Sequence, residues 1–160
     1  MKRASAAFTL VEMLVTLALV GIAATVVLPY AALVEARAKE SELRLSLRTL
    51  RQAIDQYKAA ADAGLIEKKT GDSGYPSSLE SLVNGVPRST AFGISVTPVV
   101  FLRRIPRDPF FPDRTVPASE TWNLRAYGSP PGDFSRGNDV FDVSSKAGGS
   151  ALDGSQLGDW

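Results

Sequence analysis

The rhythm of hydrophobic and polar positions changes along the chain and divides it into four parts. Residues 1–7 are short, basic and small. From Met13 to Val34 there are 22 residues with no Asp, Glu, Lys or Arg. At ~1.5 Å rise per residue that run makes about 33 Å of helix, enough to cross a ~30 Å hydrocarbon core. It is apolar all round, as suits a helix facing lipid or a packed bundle. Beyond it, Leu43, Leu47, Leu50, Ile54, Tyr57 and Ala61 recur at spacings of 4, 3, 4, 3 and 4. That spacing places them on one stripe, with Glu35, Arg37, Lys39, Glu40, Glu42, Arg44, Arg48, Arg51, Asp55 and Lys58 on the other faces. The pattern predicts one helix from residue 8 to about 61, with a bend or melted turn at Gly21 or Pro29.

Residues 62–90 are turn-rich, and residues 91–160 hold short apolar runs separated by Pro and Gly. Ser77 or Ser78 is placed to cap a short helix from Leu79 to Val83, ended by Asn84-Gly85. Trp122, Leu124 and Ala126 alternate with Asn123, Arg125 and Tyr127, the period of a half-buried strand. Phe141 and Val143 alternate with Val140, Asp142 and Ser144 in the same way. The fold class expected is α+β: a long N-terminal helix packed on a small antiparallel sheet with long loops. An a/d-like stripe also suits a dimeric coiled coil. With only about three heptads and a domain following, packing on the chain's own sheet is the reading adopted. The expected divisions are a leader (1–7), a transmembrane helix (8–34) and an exported domain (35–160).

Composition narrows the chemistry. The 160 residues carry a net charge of +1, which gives no electrostatic case for nucleic acid as a partner. No Cys is present, so disulfides and thiol chemistry are excluded; no His is present, so His triads and His metal sites are excluded as well. Asp139 and Asp142 read as surface acids, and no Ser-x-x-Lys or Gly-x-Ser-x-Gly setting occurs. No enzyme is expected.

Glu12 stands out because it sits at the head of the apolar run. At mid-membrane a charge costs roughly 2.5–3.5 kcal/mol on insertion scales, so its placement implies a positive partner. Lys2 and Arg3 before it favour a cytoplasmic N-terminus. Two plainer readings compete. A secretory signal peptide would use the small-x-small site Ala36-Arg37-Ala38, but the apolar run is longer than the ~7–15 residues of such a segment. A generic single-span anchor explains the length and the basic flank but not the head itself.

The head Met1-Lys2-Arg3-Ala4-Ser5-Ala6-Ala7 followed by Phe8-Thr9-Leu10-Val11-Glu12 resembles the type III signal of type IV pilins and pseudopilins. The resemblance implies cleavage between Ala7 and Phe8 by prepilin peptidase and N-methylation of Phe8. Ala7 stands where the family usually has Gly. It further implies assembly through Phe8 and Glu12, the Phe8 ammonium of one subunit pairing with Glu12 of a neighbour. Tyr75-Pro76-Ser77-Ser78-Leu79-Glu80-Ser81-Leu82, Arg103-Arg104-Ile105-Pro106-Arg107-Asp108-Pro109-Phe110, Val140-Phe141-Asp142-Val143-Ser144-Ser145 and Trp160 are similar to segments of the major pseudopilins of type II secretion systems.

That likeness implies a subunit of a helical pseudopilus, acting in secretion across the outer membrane. Its partners would be further copies, minor pseudopilins, the peptidase, and the inner-membrane platform with its assembly ATPase. The chain would be single-pass in the inner membrane, cytoplasmic at its N-terminus, with a periplasmic domain. The family's C-terminal loop commonly binds calcium. Here the candidate ligands are Asp153 and Ser145, in a Gly/Ser-rich loop containing one acid and Lys146. A structural Asp-Gly turn is the alternative, and no other cofactor is expected. Two other functions stay open: a type IV pilin for adhesion, motility or DNA uptake, against which the missing Cys pair argues, and a membrane-tethered periplasmic binding module that does not polymerise.

Overall fold

The computed structural model describes residues 8–68, 71–89, 97–135 and 137–160. The leader, Ala7 included, lies outside the described residues. The chain divides into two units, Met1–Ala38 and Lys39–Trp160.

Helix α1 spans Leu10–Asp62 and is continuous through Gly21 and Pro29, so the melted turn expected there is absent. Proline removes a single backbone donor, and the cooperative turns on either side keep the helix intact. In the first unit, every described side chain from Phe8 to Ala32 is exposed. Thr16 and Thr25 direct their hydroxyls to the carbonyls of Met13 (2.9 Å) and Ile22 (2.7 Å). Their polar atoms are thereby satisfied within the helix, as a lipid-facing surface requires.

In the second unit the stripe is the core. Leu43, Leu50 and Ile54 are fully buried, Leu47 and Ala61 nearly so, and Tyr57 is half-buried. They pack with Leu79, Leu82, Trp122, Val140, Val143 and Leu157 of the same chain, and the stripe is used internally. A satellite cluster of Ala60, Ala61 and Ile66 extends it beneath Val86, Val99 and Phe101.

Helix α2 is Leu79–Asn84. Ser78 occupies its N-cap position, but its hydroxyl makes no capping bond; the Ser78 carbonyl instead accepts the Ser81 hydroxyl (2.6 Å). Gly85 ends the helix at φ 82°, a region closed to most other residues.

Strands β1 (Trp122–Arg125) and β2 (Asp142–Ser145) form a two-stranded antiparallel sheet, with Trp122 opposite Ser145 and Leu124 opposite Val143. The alternation expected for residues 140–144 is corrected. Val140 and Ser144 are buried together with Val143, whereas Phe141 is half-buried against Tyr75 and Tyr127. Two causes are visible. The Phe141 amide bonds the Arg125 carbonyl although Arg125 is opposite Asp142, so the phase slips before β2 begins. The turn Leu157–Asp159 also packs on β2, so the strand is enclosed beyond its core face.

Candidate assembly site at the helix head

Thr9 precedes the first residue of α1 and acts as its cap. Its hydroxyl accepts the Glu12 amide at 3.2 Å, and its carbonyl accepts the Met13 amide at 3.2 Å. Thr9-Leu10-Val11-Glu12 is the Ser/Thr-x-x-Glu pattern of a capping box, of which the structure shows the hydroxyl half. The spacing of this pattern is legible in the residues themselves.

The cap gives Glu12 a local role, since an acid in the first turn faces the positive end of the helix. That term is worth ~0.3–1 kcal/mol, against roughly 2.5–3.5 kcal/mol for a charge at mid-membrane. Local capping would offset only a minor part of the cost of a carboxylate at mid-membrane depth. Among the described residues the Glu12 side chain has no hydrogen-bond or ion-pair partner, and it is exposed. Phe8, the other residue expected to act in assembly, is also exposed, at 69%. Among the described residues the head thus presents an unpaired acid about one turn from Phe8, at the start of a segment whose described side chains are exposed as far as Ala32.

The second sequence motif has a different use. The Asp108 carboxylate is 1% exposed and accepts the Phe110 amide (2.9 Å) and the Ser145 hydroxyl (2.6 Å). The Asp108 amide bonds the Thr121 hydroxyl (3.2 Å), and the Trp122 indole donates to the Pro106 carbonyl (2.9 Å). Arg107 donates to the carbonyls of Val116 (2.6 Å) and Asp113. Arg103–Phe110 is therefore a knot that fastens a loop to both strands.

This knot bears on calcium. Ser145 is buried and its hydroxyl is spent on Asp108. Asp153 lies in a separate network, accepting the amide (2.9 Å) and hydroxyl (2.6 Å) of Ser155, with Arg44 at 3.8 Å. Those contacts, the Ser155 hydroxyl foremost, hold the Asp153 carboxyl below its usual range. Among the described residues no group of three or more acidic, His or Cys side chains is gathered as for a metal. Calcium wants roughly 6–8 oxygens, and the two candidate ligands as arranged do not fit it.

Asp142, read from sequence as a surface acid, is instead half-buried between Arg51 (2.8 Å) and Arg125 (3.3 Å). Asp139 accepts the Tyr127 amide (2.9 Å) and the Ser73 hydroxyl. Strand spacing alone does not reveal these partners, because they come from distant segments.

No curated protein and no solved structure matches the chain. Residues 2–28 match the family described as the prokaryotic N-terminal methylation motif, a stretch that includes Ala7, Phe8 and Glu12. That motif is the prepilin signal of type IV pilin-like proteins, and it supports a place for this chain in the type IV pilin and pseudopilin superfamily.

Proposed function

We propose that this chain is a structural subunit of a helical pseudopilus acting in type II secretion. The observation that carries the reading is the head of α1. The capped helix begins with an acid that has no side-chain partner among the described residues, 22 uncharged residues follow it, and the described side chains from Phe8 to Ala32 are exposed. Lipid covers such a surface before assembly; neighbouring helices cover it afterwards. In that bundle the Glu12 carboxylate meets the ammonium of a neighbour's Phe8, freed by cleavage after Ala7. The low dielectric makes the pair strong, and an unpaired member costly.

The second unit would sit in the periplasm, and its described core is built from its own residues. The prepilin peptidase would process the chain. Minor pseudopilins, a platform protein and an assembly ATPase would be its working partners. The Arg103–Phe110 knot, similar to a segment of major pseudopilins, and the lack of any Cys favour the secretion branch over a type IV pilin.

Deleting the gene and restoring it by complementation tests this. Loss of extracellular enzymes, with their accumulation in the periplasm, supports the secretion role. Intact secretion with lost surface motility or DNA uptake establishes the pilin. Intact secretion and motility, with no filament on overexpression, leaves the tethered binding module.

A further inference from the structure

Residues 150–160 form a strap with a structure of its own. The Ala151 amide bonds the Ser155 carbonyl (2.8 Å), the Leu157 amide bonds the Gly149 carbonyl (3.1 Å), and the Trp160 indole donates to the Ser155 hydroxyl (2.8 Å). Its apolar anchors are few: Leu157 and Ala151 are buried, and Trp160 is half-buried. What joins it to α1 is largely polar. Glu40 accepts the Leu152 amide at 2.6 Å. Arg44 lies 4.2 Å above the Trp160 ring. Arg51 makes the densest contact: Nε donates to Asp142 Oδ1 (2.8 Å), and Nη2 donates to the Val143 carbonyl (2.9 Å) and to the main-chain oxygen of Trp160 (2.7 Å).

Three oxygens from two separate segments, β2 and the strap, thus converge on one guanidinium. A carboxylate plus main-chain oxygens is also the kind of donor set that a hard divalent cation takes. Here the positive charge is supplied by a side chain whose planar fork points a separate N–H at each acceptor. Glu40, Arg44 and Arg51 are spaced by 4 and 7 residues, which puts them on one face of α1. The strap is therefore placed by the helix itself.

We propose that Arg51 is the cation on which the C-terminal strap closes, so that the strap is held without a metal ion. The inference rests on contacts within Lys39–Trp160 and is independent of the secretion reading.

Amide hydrogen exchange on the full chain in detergent tests it. In the unsubstituted protein, exchange at Ala151, Leu152, Gly154 and Leu157 is expected to be the same, within about twofold, with added calcium chloride and with a chelator. Arg51→Gln is expected to speed exchange at Ala151 and Leu157 on the order of tenfold, as follows from the net worth of hydrogen bonds to a charged group, while amides around Leu50 keep their protection. If Arg51→Gln does not accumulate as folded protein, Arg51→Lys carries the same comparison, because it keeps the charge and loses the fork. Calcium slowing strap exchange in the unsubstituted protein by more than twofold, or the Arg51 variant exchanging at the unsubstituted rate, overturns the proposal.

Discussion

The Glu12 amide donates to the Thr9 hydroxyl at 3.2 Å, so the one charged residue between Phe8 and Val34 is also the third residue of a capped helix. Capping fixes where the helix begins, and so where the carboxylate stands relative to Phe8. Thr9→Val removes the hydroxyl at near-constant volume and should cost the helix end about 1 kcal/mol. Added amide exchange over residues 10–13 in detergent would show it. Unchanged exchange there would mean that the cap contributes nothing.

Glu12→Ala separates assembly from anchoring. The variant should still insert and still be cut between Ala7 and Phe8, because it removes a charge from lipid. It should form no filaments, since a neighbour's ammonium would be left unpaired at a cost on the order of 3–5 kcal/mol. Glu12→Asp keeps the charge with a shorter reach and should assemble partly. Filament yield by electron microscopy, with mass measurement of the Phe8 terminus as control, checks both. Normal filaments from Glu12→Ala would remove the assembly role.

The second unit should fold alone. A fragment of residues 35–160 keeps the stripe and all the core that covers it. It should be soluble and monomeric in sedimentation at micromolar concentration; a stable dimer would show that the stripe has a further partner. Within that fragment Leu50→Ala should cost ~2–5 kcal/mol, because it leaves a cavity in a closed core. Leu45→Ala, at a residue 66% exposed, should stay within about 0.5 kcal/mol. Urea midpoints give both.

Asp108→Ala strands the Ser145 hydroxyl and the Phe110 amide in a buried place. Each stranded group costs roughly 1–3 kcal/mol, so the variant should be among the least stable of single substitutions. Asp108→Asn keeps an acceptor for Phe110, and the Ser145 hydroxyl can rotate to accept from the new amide, so its loss should be clearly smaller. Equal losses would point to the charge rather than the hydrogen bonds.

Acid acts on Asp153. The Ser155 hydroxyl, then the Ser155 amide, and the nearby Arg44 charge hold its carboxyl below the usual 3.8. A folded value below the unfolded one means that the stabilisation is present above the unfolded value. It is lost as pH falls through the folded value. A carbon NMR titration of Asp153 should have its midpoint below 3.8, and Ser155→Ala should move that midpoint up. A midpoint that Ser155→Ala does not move would assign the shift elsewhere.

Periodic and local features were legible in the chain. The absence of charge from Met13 to Val34, the stripe from Leu43 to Ala61, the short helix at Leu79 and the presence of a strand at Trp122, though not its expected alternation, since Asn123, Leu124 and Arg125 are all half-buried, are each set by neighbours within a turn or a strand. The methylation motif is likewise local, since residue types and spacing define it. What only the tertiary structure decided are the pairings between segments far apart in sequence. Arg51 meets Asp142 across 91 residues, Ser145 meets Asp108 across 37, and Glu40 meets Leu152 across 112. A polar side chain has several satisfactory partners at this range, and the sequence does not rank them. Burial selects one by making every unmatched alternative costly. That is why Ser145 and Asp153, expected as ligands of one calcium site, lie in separate networks, and why Arg51 is the strap's cation.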